Sequence, residues 1–249
     1  MGEHFNDPAK LLTGSAAFYG LQLDDEQVGK FFIFKDLLLD WNSRMNLTAI
    51  EEESDIIIKH FSDSLSIAPI IAELKQRMPE GQSLSLVDVG TGAGFPGIPL
   101  KIALPGLEVT LLDALAKRVN FLNEAVSKLG LKAINAIHGR AEELGRDKNH
   151  RERYDVAVAR AVAALPVLLE YCLPFVKTGG VFIAMKGGAD ELDQSGRALK
   201  ELGGEVSHVK ELNLPFSDIK RKIIVIKKLR QTPSKYPRKP GKPSKDPLI

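Results

Sequence analysis

A glycine-rich run at residues 86–97 contains the residue types and the spacing that most clearly indicate chemistry. It reads Leu-Val-Asp-Val-Gly-Thr-Gly-Ala-Gly-Phe-Pro-Gly, so that an acid, Asp88, stands two residues before the first glycine. Glycines let the backbone turn sharply and approach a ligand without a Cβ in the way; an apolar strand precedes the run and a helical segment follows it. The run therefore predicts a loop that binds a nucleotide-containing cofactor.

Two cofactor classes fit this loop. Residues 92–97 satisfy the dinucleotide pattern G-x-G-x-x-G, which alone would fit NAD. The arrangement Asp-x-Gly-x-Gly-x-Gly is that of enzymes that use S-adenosylmethionine, whose ammonium and sulfonium groups a carboxylate at Asp88 attracts, whereas it repels a pyrophosphate. The segment favours S-adenosylmethionine, and both NAD and an ordinary strand-to-helix turn stay open at this point. Within it, the backbone of Gly90, Gly92 and Gly94 is the candidate cofactor cradle.

Acidic residues lie at or shortly after the ends of the next two predicted strands, where ligands of open α/β sheets bind. Asp113 lies 19 residues beyond Gly94, the separation at which a carboxylate accepts hydrogen bonds from ribose hydroxyls in either cofactor class. After the third strand, the Glu142 carboxylate or the Ala141 backbone is placed to meet an adenine amino group. Glu142 is equally consistent with an acid in the first turn of a helix.

Two cations end the fourth and fifth predicted strands. A guanidinium at the mouth of the crevice, Arg160, is costly unless it meets a carboxylate, a phosphate or a base, which favours a binding role. Lys186 is placed in the same way and is a candidate contact to substrate phosphate. In the glycine loop, Phe95 packs either on the cofactor or in the core.

Some catalytic patterns are missing from the sequence. The Asn/Asp-Pro-Pro-aromatic turn of amino-group methylation is replaced after the fourth strand by Arg-Ala-Val-Ala at residues 160–163. Cys172 lies inside a predicted helix and is interpreted as packing rather than as a nucleophile, and the five histidines have no metal-ligand spacing, so no metal is expected. These features favour an acceptor that already offers a lone pair, such as guanine N7, and no catalytic base is assigned.

The predicted elements place these residues in an α/β sheet. Residues 5–75 read as helices, with an acidic helix start at residues 24–26 and an apolar stripe formed by Val28, Phe31, Phe32, Leu38, Leu39 and Trp41. Seven strands follow, at 84–89, 107–113, 133–138, 154–160, 179–186, 205–212 and 221–229. A helix at 117–129 connects the second and third strands, as in a parallel crossover.

The last two strands have no helix between them and are expected to form an antiparallel hairpin at the sheet edge. The predicted fold is therefore a Rossmann-like class I S-adenosylmethionine-dependent methyltransferase domain, mainly parallel, with an N-terminal helical extension. The expected segments are a helical extension at 1–78, a methyltransferase domain at 79–230 and a basic, proline-rich arm at 231–249.

The length and composition of the chain narrow the classes to which the protein can belong. With 249 residues, 44% apolar, the chain is long enough to bury a sizeable core. One cysteine, no signal peptide and no long apolar run lead us to expect a cytoplasmic protein that is not in a membrane.

Charge is unevenly distributed along the chain. Residues 220–249 carry eleven Lys and Arg against one acid, a net charge of +10, so the preceding residues sum to −8 although the whole chain carries only +2. In residues 231–243 cations alternate with prolines, which predicts an extended, mobile arm without helix. We interpret this arm as a phosphate-contacting element, with a solubilising tail as the alternative.

The glycine loop and further segments in order resemble one family, the bacterial 16S ribosomal RNA (guanine-N7) methyltransferases also called RsmG or glucose-inhibited division protein B. The matching segments cover nearly the whole chain and lie at residues 41–48, 59–64, 88–100, 111–122, 140–143, 159–161 and 186–187. The residues at 46–48 and 59–60 are as consistent with local capping and packing as with a functional role.

The resemblance implies transfer of a methyl group from S-adenosylmethionine to a guanine in the 530 loop (position 527) of 16S ribosomal RNA. It implies cofactor contacts from Gly90, Phe95, Ala141 with Glu142, and Arg160, and ribose contacts from Asp113. The expected partner is 16S ribosomal RNA or the small ribosomal subunit, and the protein is expected to be a monomer. An NAD-dependent oxidoreductase and a non-catalytic RNA-binding protein are the alternatives.

Overall fold

The computed structural model describes residues 7–160, 162–187 and 191–249. The first six residues of the predicted helical extension, Ala161 after the fourth strand and residues 188–190 lie outside this range. Within the described residues before the sheet, the regular elements are all helices, as predicted. They are α1 (Pro8–Phe18), α2 (Asp25–Met45), α3 (Glu53–Ile56), a π-helical turn (Ile57–Ser62), α4 (Asp63–Leu65) and α5 (Ala68–Gln76).

Local sequence explains the limits of the longest helix, α2. The Asp24 carboxylate accepts a 2.8 Å hydrogen bond from the backbone N–H of Gln27, and the Gln27 side chain accepts one from the backbone N–H of Asp24. This capping box satisfies backbone donors that have no partner inside the helix. The helix ends at Met45, and the following residue, Asn46, adopts the left-handed conformation. Of the predicted stripe, Phe31 and Leu38 are fully buried, and the other four residues pack against the same core.

Seven strands form one sheet, as the sequence predicts. They are β1 (Leu84–Val89), β2 (Leu107–Asp113), β3 (Ile134–His138), β4 (Tyr154–Arg160), β5 (Val176–Lys186), β6 (Gly204–Asn213) and β7 (Lys220–Lys228). The spatial order is β3-β2-β1-β4-β5-β7-β6, and β1 to β5 are parallel. Strand β7 is antiparallel to both β5 and β6. The predicted hairpin therefore lies at the sheet edge, with its second strand on the inside.

Helices cover both faces of the sheet. The later helices are α6 (Gly97–Ala103), α7 (Ala116–Lys128), α8 (Ala141–Leu144), α9 (Leu165–Cys172), α10 (Gly196–Leu202) and α11 (Lys242–Lys245). One core joins alternate strand residues to α1, α2, α6 and α7, and the other joins the remaining strand residues to α9 and α10. The N-terminal helices thus share a core with the sheet. No helix in the described parts of the chain is both long and apolar enough to cross a membrane.

The prediction of an extended, mobile C-terminal arm was wrong. Residues 231–249 pack on the second face of the sheet and contain the short helix α11, with Tyr236 and Leu248 in the core. The Arg238 guanidinium forms a bidentate pair with Glu170, which is fully buried. Alternating prolines and cations show neither the buried carboxylate 68 residues earlier nor the two apolar anchors, so local sequence could not reveal this packing.

Candidate cofactor and substrate site

A cavity of about 720 Å³ opens at the carboxyl ends of the central strands. Six of the predicted site residues line it: Gly90, Gly92, Phe95, Asp113, Arg160 and Lys186. The segment before the sheet closes its other side with Thr48 from the loop after α2 and with Lys59, His60 and Asp63 from the π-helical turn and α4. Its size is in the range of sites for small molecules and cofactors, about 300 to 1,000 Å³. The cavity therefore lies where ligands of open α/β sheets bind.

Gly92 leaves open space on the cavity side of the glycine loop. Its φ is +61°, and a Cβ built there would meet no atom within 4 Å. Its backbone N–H donates a 3.0 Å hydrogen bond to the Asp113 carboxylate. Gly94 also belongs to the loop but does not line the cavity; a Cβ there would come within 2.5 Å of Ile98. Gly92 thus borders the ligand space, and Gly94 serves packing.

Asp88 holds this loop from beneath rather than facing a ligand. Its Oδ2 accepts hydrogen bonds of 2.6 Å from the Thr91 hydroxyl and 2.8 Å from the backbone N–H of Gly97. Oδ1 is buried with no hydrogen-bond partner among the described residues, and burial raises the pKa of Asp88 to about 6. The side chain is completely buried, so Asp88 supports the loop without lining the cavity, and its attraction for the cationic groups of the cofactor stays a prediction.

Gly97 makes the close approach that the sequence suggested for the last glycine of the pattern. A Cβ at Gly97 would lie 2.3 Å from Leu111 Cδ2 and 2.9 Å from Asp88 Oδ2. Real side chains do not approach so closely, so only glycine lets α6 begin against β1 and β2. The G-x-G-x-x-G match thus ends in a packing position.

Asp113 combines a buried carboxylate with a place on the cavity wall. Oδ2 accepts from the backbone of Gly92, Oδ1 accepts a 2.9 Å hydrogen bond from the backbone of Leu115, and Arg118 lies 3.5 Å away. These bonds fix the orientation of the carboxylate. Since each carboxylate oxygen can accept more than one hydrogen bond, Asp113 can also receive ligand hydroxyls.

Ala141 and Glu142 line a side pocket of about 190 Å³ that adjoins the main cavity. The two spaces share Gly90, Asp113, Ala114 and Val162. Glu142 lies in the first turn of α8, and its Oε1 accepts a 2.9 Å hydrogen bond from the backbone N–H of Gly241. The structure therefore places these two predicted residues beside the main cavity.

Arg160 is held by the helical segment before the sheet. Its Nη1 donates hydrogen bonds of 3.0 Å to Asp63 Oδ2 and 3.1 Å to the carbonyl oxygen of Lys59. The other oxygen of Asp63 accepts a 3.0 Å hydrogen bond from Arg221 Nε. Burial lowers the pKa of Arg160, yet an arginine stays charged in proteins. The carboxylate that the buried guanidinium needs is thus an internal one.

His60 and Phe95 form a flat contact next to Arg160. The rings stack with centroids 4.5 Å apart, and the Arg160 guanidinium lies 5.0 Å from the Phe95 centroid. His60 Nε2 is 2.8 Å from the Thr48 hydroxyl, and Nδ1 is 3.2 Å from Arg160 Nη2. Burial, followed by the charge of Arg160, lowers the pKa of His60 to about 3. Phe95 belongs to both the core and the cavity wall, so its packing in the core is confirmed and its contact with the cofactor stays a prediction.

The π-helical turn explains why Lys59 and His60 face the cavity. Its wider turn changes the direction of side chains relative to an α-helix, and such turns are frequent at functional sites. His60, Asp63 and Arg221 were not predicted as site residues. The motif at residues 59–64 was the one available signal, and local capping and packing explained it equally well.

Lys186 and Cys172 lie in different surroundings, one on the cavity wall and one in the core. Lys186 lines the cavity, where its Nζ donates a 2.8 Å hydrogen bond to the carbonyl oxygen of Ala163 and lies 3.0 Å from Glu191. Cys172 is fully buried in the second core, and burial raises the pKa of its thiol. The interpretation of Cys172 as a packing residue is confirmed.

Solved structures show which fold this is. A variant of MtNAS in complex with S-adenosylmethionine has a TM-score of 0.54 at 15% identity and covers 88% of this chain and 78% of that one. Geranyl diphosphate methyltransferase in complex with the same cofactor has a TM-score of 0.50 at 14% identity and covers 66% and 86%. The chain has the class I fold of S-adenosylmethionine-dependent methyltransferases, as predicted.

Sequence comparisons show the family. A family model described as GidB, rRNA small subunit methyltransferase G, matches residues 27–224. A protein named ribosomal RNA small subunit methyltransferase G from Acetivibrio thermocellus is 61% identical over 240 residues, 96% of each chain. One of the same name from Alkaliphilus oremlandii is 55% identical and covers 96% of this chain and 98% of its own. The chain belongs to this family of ribosomal RNA small subunit methyltransferases.

Proposed function

We propose that this protein transfers the methyl group of S-adenosylmethionine to N7 of a guanine in the 530 loop of 16S ribosomal RNA. The observation that carries this proposal is that the side chains of the main cavity wall that could act as a general base already have hydrogen-bond partners within the protein. His60 is neutral and bonded at both ring nitrogens, Asp63 joins two guanidiniums, and Asp113 accepts two backbone N–H groups. This arrangement favours an acceptor atom that needs no deprotonation.

The residues present fit the cofactor. The open space at Gly92 and the loop backbone at Gly90 suit its amino-acid part, Asp113 suits the ribose hydroxyls, and the side pocket at Ala141 and Glu142 suits the adenine. When bound, S-adenosylmethionine supplies an electrophilic methyl group on a sulfonium. Phe95 adds apolar surface to the cavity wall, and Arg160 completes the predicted cofactor contacts.

The charge of the cavity suits RNA. Five cationic side chains line it, Lys59, Arg118, Arg160, Lys186 and Arg221, and four carboxylates pair with them, those of Asp55, Asp63, Asp113 and Glu191, which leaves an excess of one positive charge. A cleft with an excess of positive charge attracts phosphates and raises the local concentration of nucleic acid. Arg160 and Lys186 are the proposed substrate contacts.

Guanine N7 matches these groups because it offers a lone pair in the neutral base. Attack by this nitrogen on a methyl group needs alignment and exclusion of water but no proton transfer. The positions of the Asp63, Arg160 and His60 side chains are fixed by their mutual hydrogen bonds, so the cavity is preorganised for placing the base.

The test is methyl transfer by the purified protein. Small ribosomal subunits from cells that lack this protein, and the naked 16S ribosomal RNA extracted from them, are incubated with S-adenosylmethionine, and the RNA is digested for nucleoside mass spectrometry. We expect 7-methylguanosine in at least one of the two samples. A different methylated nucleoside would overturn the N7 assignment. Tight binding of NADH without binding of S-adenosylhomocysteine would instead favour an oxidoreductase.

A further inference from the structure

We infer that residues 231–249, here called the C-terminal strap, are a positioning element for the cofactor site, acting through the hydrogen bond from Gly241 to Glu142. The inference rests on the proposed function, since it takes the side pocket at Glu142 as part of the cofactor site. The contacts of the strap carry it.

The first half of the strap is fixed to the domain by partly buried polar contacts. The Arg151 guanidinium donates to the carbonyl oxygens of Thr232 and Tyr236, at 2.6 and 2.8 Å. The Arg146 guanidinium donates to the carbonyl oxygens of Lys235 and Pro237, at 2.8 and 2.7 Å. Arginine forks that bind backbone carbonyls hold a segment without regular secondary structure, because they satisfy its acceptors.

The middle of the strap is anchored by Arg238. Its Nε and Nη2 donate to the two oxygens of Glu170, at 3.0 and 2.7 Å, and its backbone N–H donates to the same carboxylate. Glu170 is completely buried, so this bidentate pair is shielded from solvent. Three residues further on, Gly241 is therefore brought to a defined position.

Gly241 is the point at which the strap meets the candidate cofactor site. Its backbone N–H donates to Glu142 Oε1 at 2.9 Å, and the side chain of Glu142 lines the side pocket. A second contact lies close by, because the Ser244 and Tyr171 hydroxyls are 2.7 Å apart and Tyr171 also lines the side pocket. The strap thus holds two walls of that pocket.

This geometry assigns the strap to the cofactor rather than to RNA as its main role. The Arg238 guanidinium of the strap is already paired with Glu170, and Lys242 pairs with Asp246 at 2.7 Å. Its contacts with site residues run to the side pocket, and its anchors lie on the face of the sheet opposite the N-terminal helices. Removing the end of the strap is therefore expected to lower the affinity for the adenosine part of the cofactor and to change the affinity for RNA little.

The test compares the full chain with a variant that ends after Pro240 and so lacks the Gly241 donor and Ser244. Calorimetry with S-adenosylhomocysteine is expected to show about tenfold weaker binding, because the Glu142 carboxylate loses the hydrogen bond from Gly241 that fixes its orientation at the side pocket. In methyl transfer, KM for S-adenosylmethionine is expected to rise by a similar factor while kcat at saturation stays within twofold. Affinity for a 16S ribosomal RNA fragment at fixed salt is expected to stay within twofold.

The matched control keeps the strap and removes three of its lysine charges. A full-length variant with Lys239→Gln, Lys242→Gln and Lys245→Gln retains the Gly241 N–H and is expected to bind S-adenosylhomocysteine like the unchanged protein. The inference is overturned if the shortened chain binds S-adenosylhomocysteine normally, or if the charge variant loses as much affinity as the shortened chain.

Hydrogen exchange on the unchanged protein covers the case in which the shortened chain does not fold. Because coupling between two sites is reciprocal, saturating S-adenosylhomocysteine is expected to slow exchange of the Gly241 amide at least threefold. The Gly203 amide, which donates to Leu199 in a helix end away from the cavity, is the reference. Equal exchange of the Gly241 amide with and without ligand would overturn the inference. Failure of the proposed function would instead appear in the unchanged protein, as no binding of S-adenosylhomocysteine at all.

Discussion

The carboxylate of Asp63 and the guanidinium of Arg160 form an ion pair of 3.0 Å that joins the N-terminal helices to the end of β4. Both side chains are largely buried, and Arg221 from β7 binds the second oxygen of the same carboxylate. Three separate parts of the chain therefore meet at one acid on the cavity wall. The helical segment is consequently part of the site and not only a cover for the sheet.

Replacing Asp63 by Asn is expected to lower both stability and methyl transfer. Two guanidiniums would lose their shared carboxylate inside the protein, which costs about 3 kcal/mol of the free energy of unfolding. Arg160 would also lose its fixed position, so we expect kcat/KM for RNA to fall at least tenfold. Urea denaturation and single-substrate kinetics measure the two effects.

The matched control for this acid is Asp55→Asn. Asp55 pairs with Lys59 at 2.7 Å, but both side chains are more than a third exposed, so the variant should lose about 0.5 kcal/mol or less. Equal losses in the two variants would contradict the role given to Asp63.

Gly92→Ala is expected to weaken cofactor binding by more than its cost in stability. At Gly92 and at Gly130, φ is +61° and a Cβ would meet no atom within 4 Å, so Ala at either position costs about 1 kcal/mol of backbone strain. Only at Gly92 does the added methyl group enter the cavity. Calorimetry should therefore show at least tenfold weaker binding of S-adenosylhomocysteine for Gly92→Ala and unchanged binding for Gly130→Ala. Similar affinities in both variants would show that the ligand does not approach this loop.

The rate of methyl transfer is expected to be independent of pH between about 6 and 8.5. His60 has a pKa of about 3, well below its ordinary 6.5, because burial and the charge of Arg160 disfavour the imidazolium. It is therefore neutral throughout this range, and an N7 acceptor needs no base. Measurements of kcat at saturating substrates should give a flat profile, on which the Asp63→Asn variant lies lower but parallel. A rise with unit slope that levels off near pH 7 would reveal an essential base and contradict the mechanism.

Asp88 is expected to make the protein less stable as pH rises from about 4 to 6. Its pKa is raised from 3.8 to about 6 by burial, so in this window the folded protein binds more protons than the unfolded chain does. The free energy of unfolding therefore falls through the window, and above it the buried charge costs about 3 kcal/mol.

The Asp88→Asn variant removes this pH dependence. Its carbonyl oxygen can still accept from Thr91 and Gly97, so the difference in unfolding free energy between variant and unchanged protein should shift by about 3 kcal/mol in favour of the variant between pH 3.5 and pH 7. Urea titrations at several pH values measure the shift. A constant difference across the range would mean that the carboxyl has an ordinary pKa.

Local patterns in the sequence were sufficient to predict the sheet and the part of the candidate site that lies at the strand ends. Apolar periodicity located all seven strands to within three residues, since strand formation at these positions agrees with burial. The rule that ligands bind beyond strand ends then selected Gly92, Asp113 and Arg160, which do line the cavity.

The remaining site residues depend on contacts between distant segments. Arg160 lies 97 residues from Asp63, and Asp63 lies 158 residues from Arg221, so no local pattern pairs them. The direction of His60 depends on a π-helical turn that periodicity does not detect. The spacing of Asp88 predicted an attraction for the cofactor, whereas only packing shows that the carboxylate lies beneath the loop.

The proposed methyl transfer is tested most simply by mapping 7-methylguanine in 16S ribosomal RNA from cells with and without this protein. Chemical cleavage at 7-methylguanine followed by primer extension reports each modified position. We expect a signal in the 530 loop that is lost without the protein and returns when the unchanged chain is supplied. With Gly92→Ala the signal should not return as long as the concentration of S-adenosylmethionine stays below the raised KM of the variant. An unchanged signal in cells that lack the protein would contradict the proposed function.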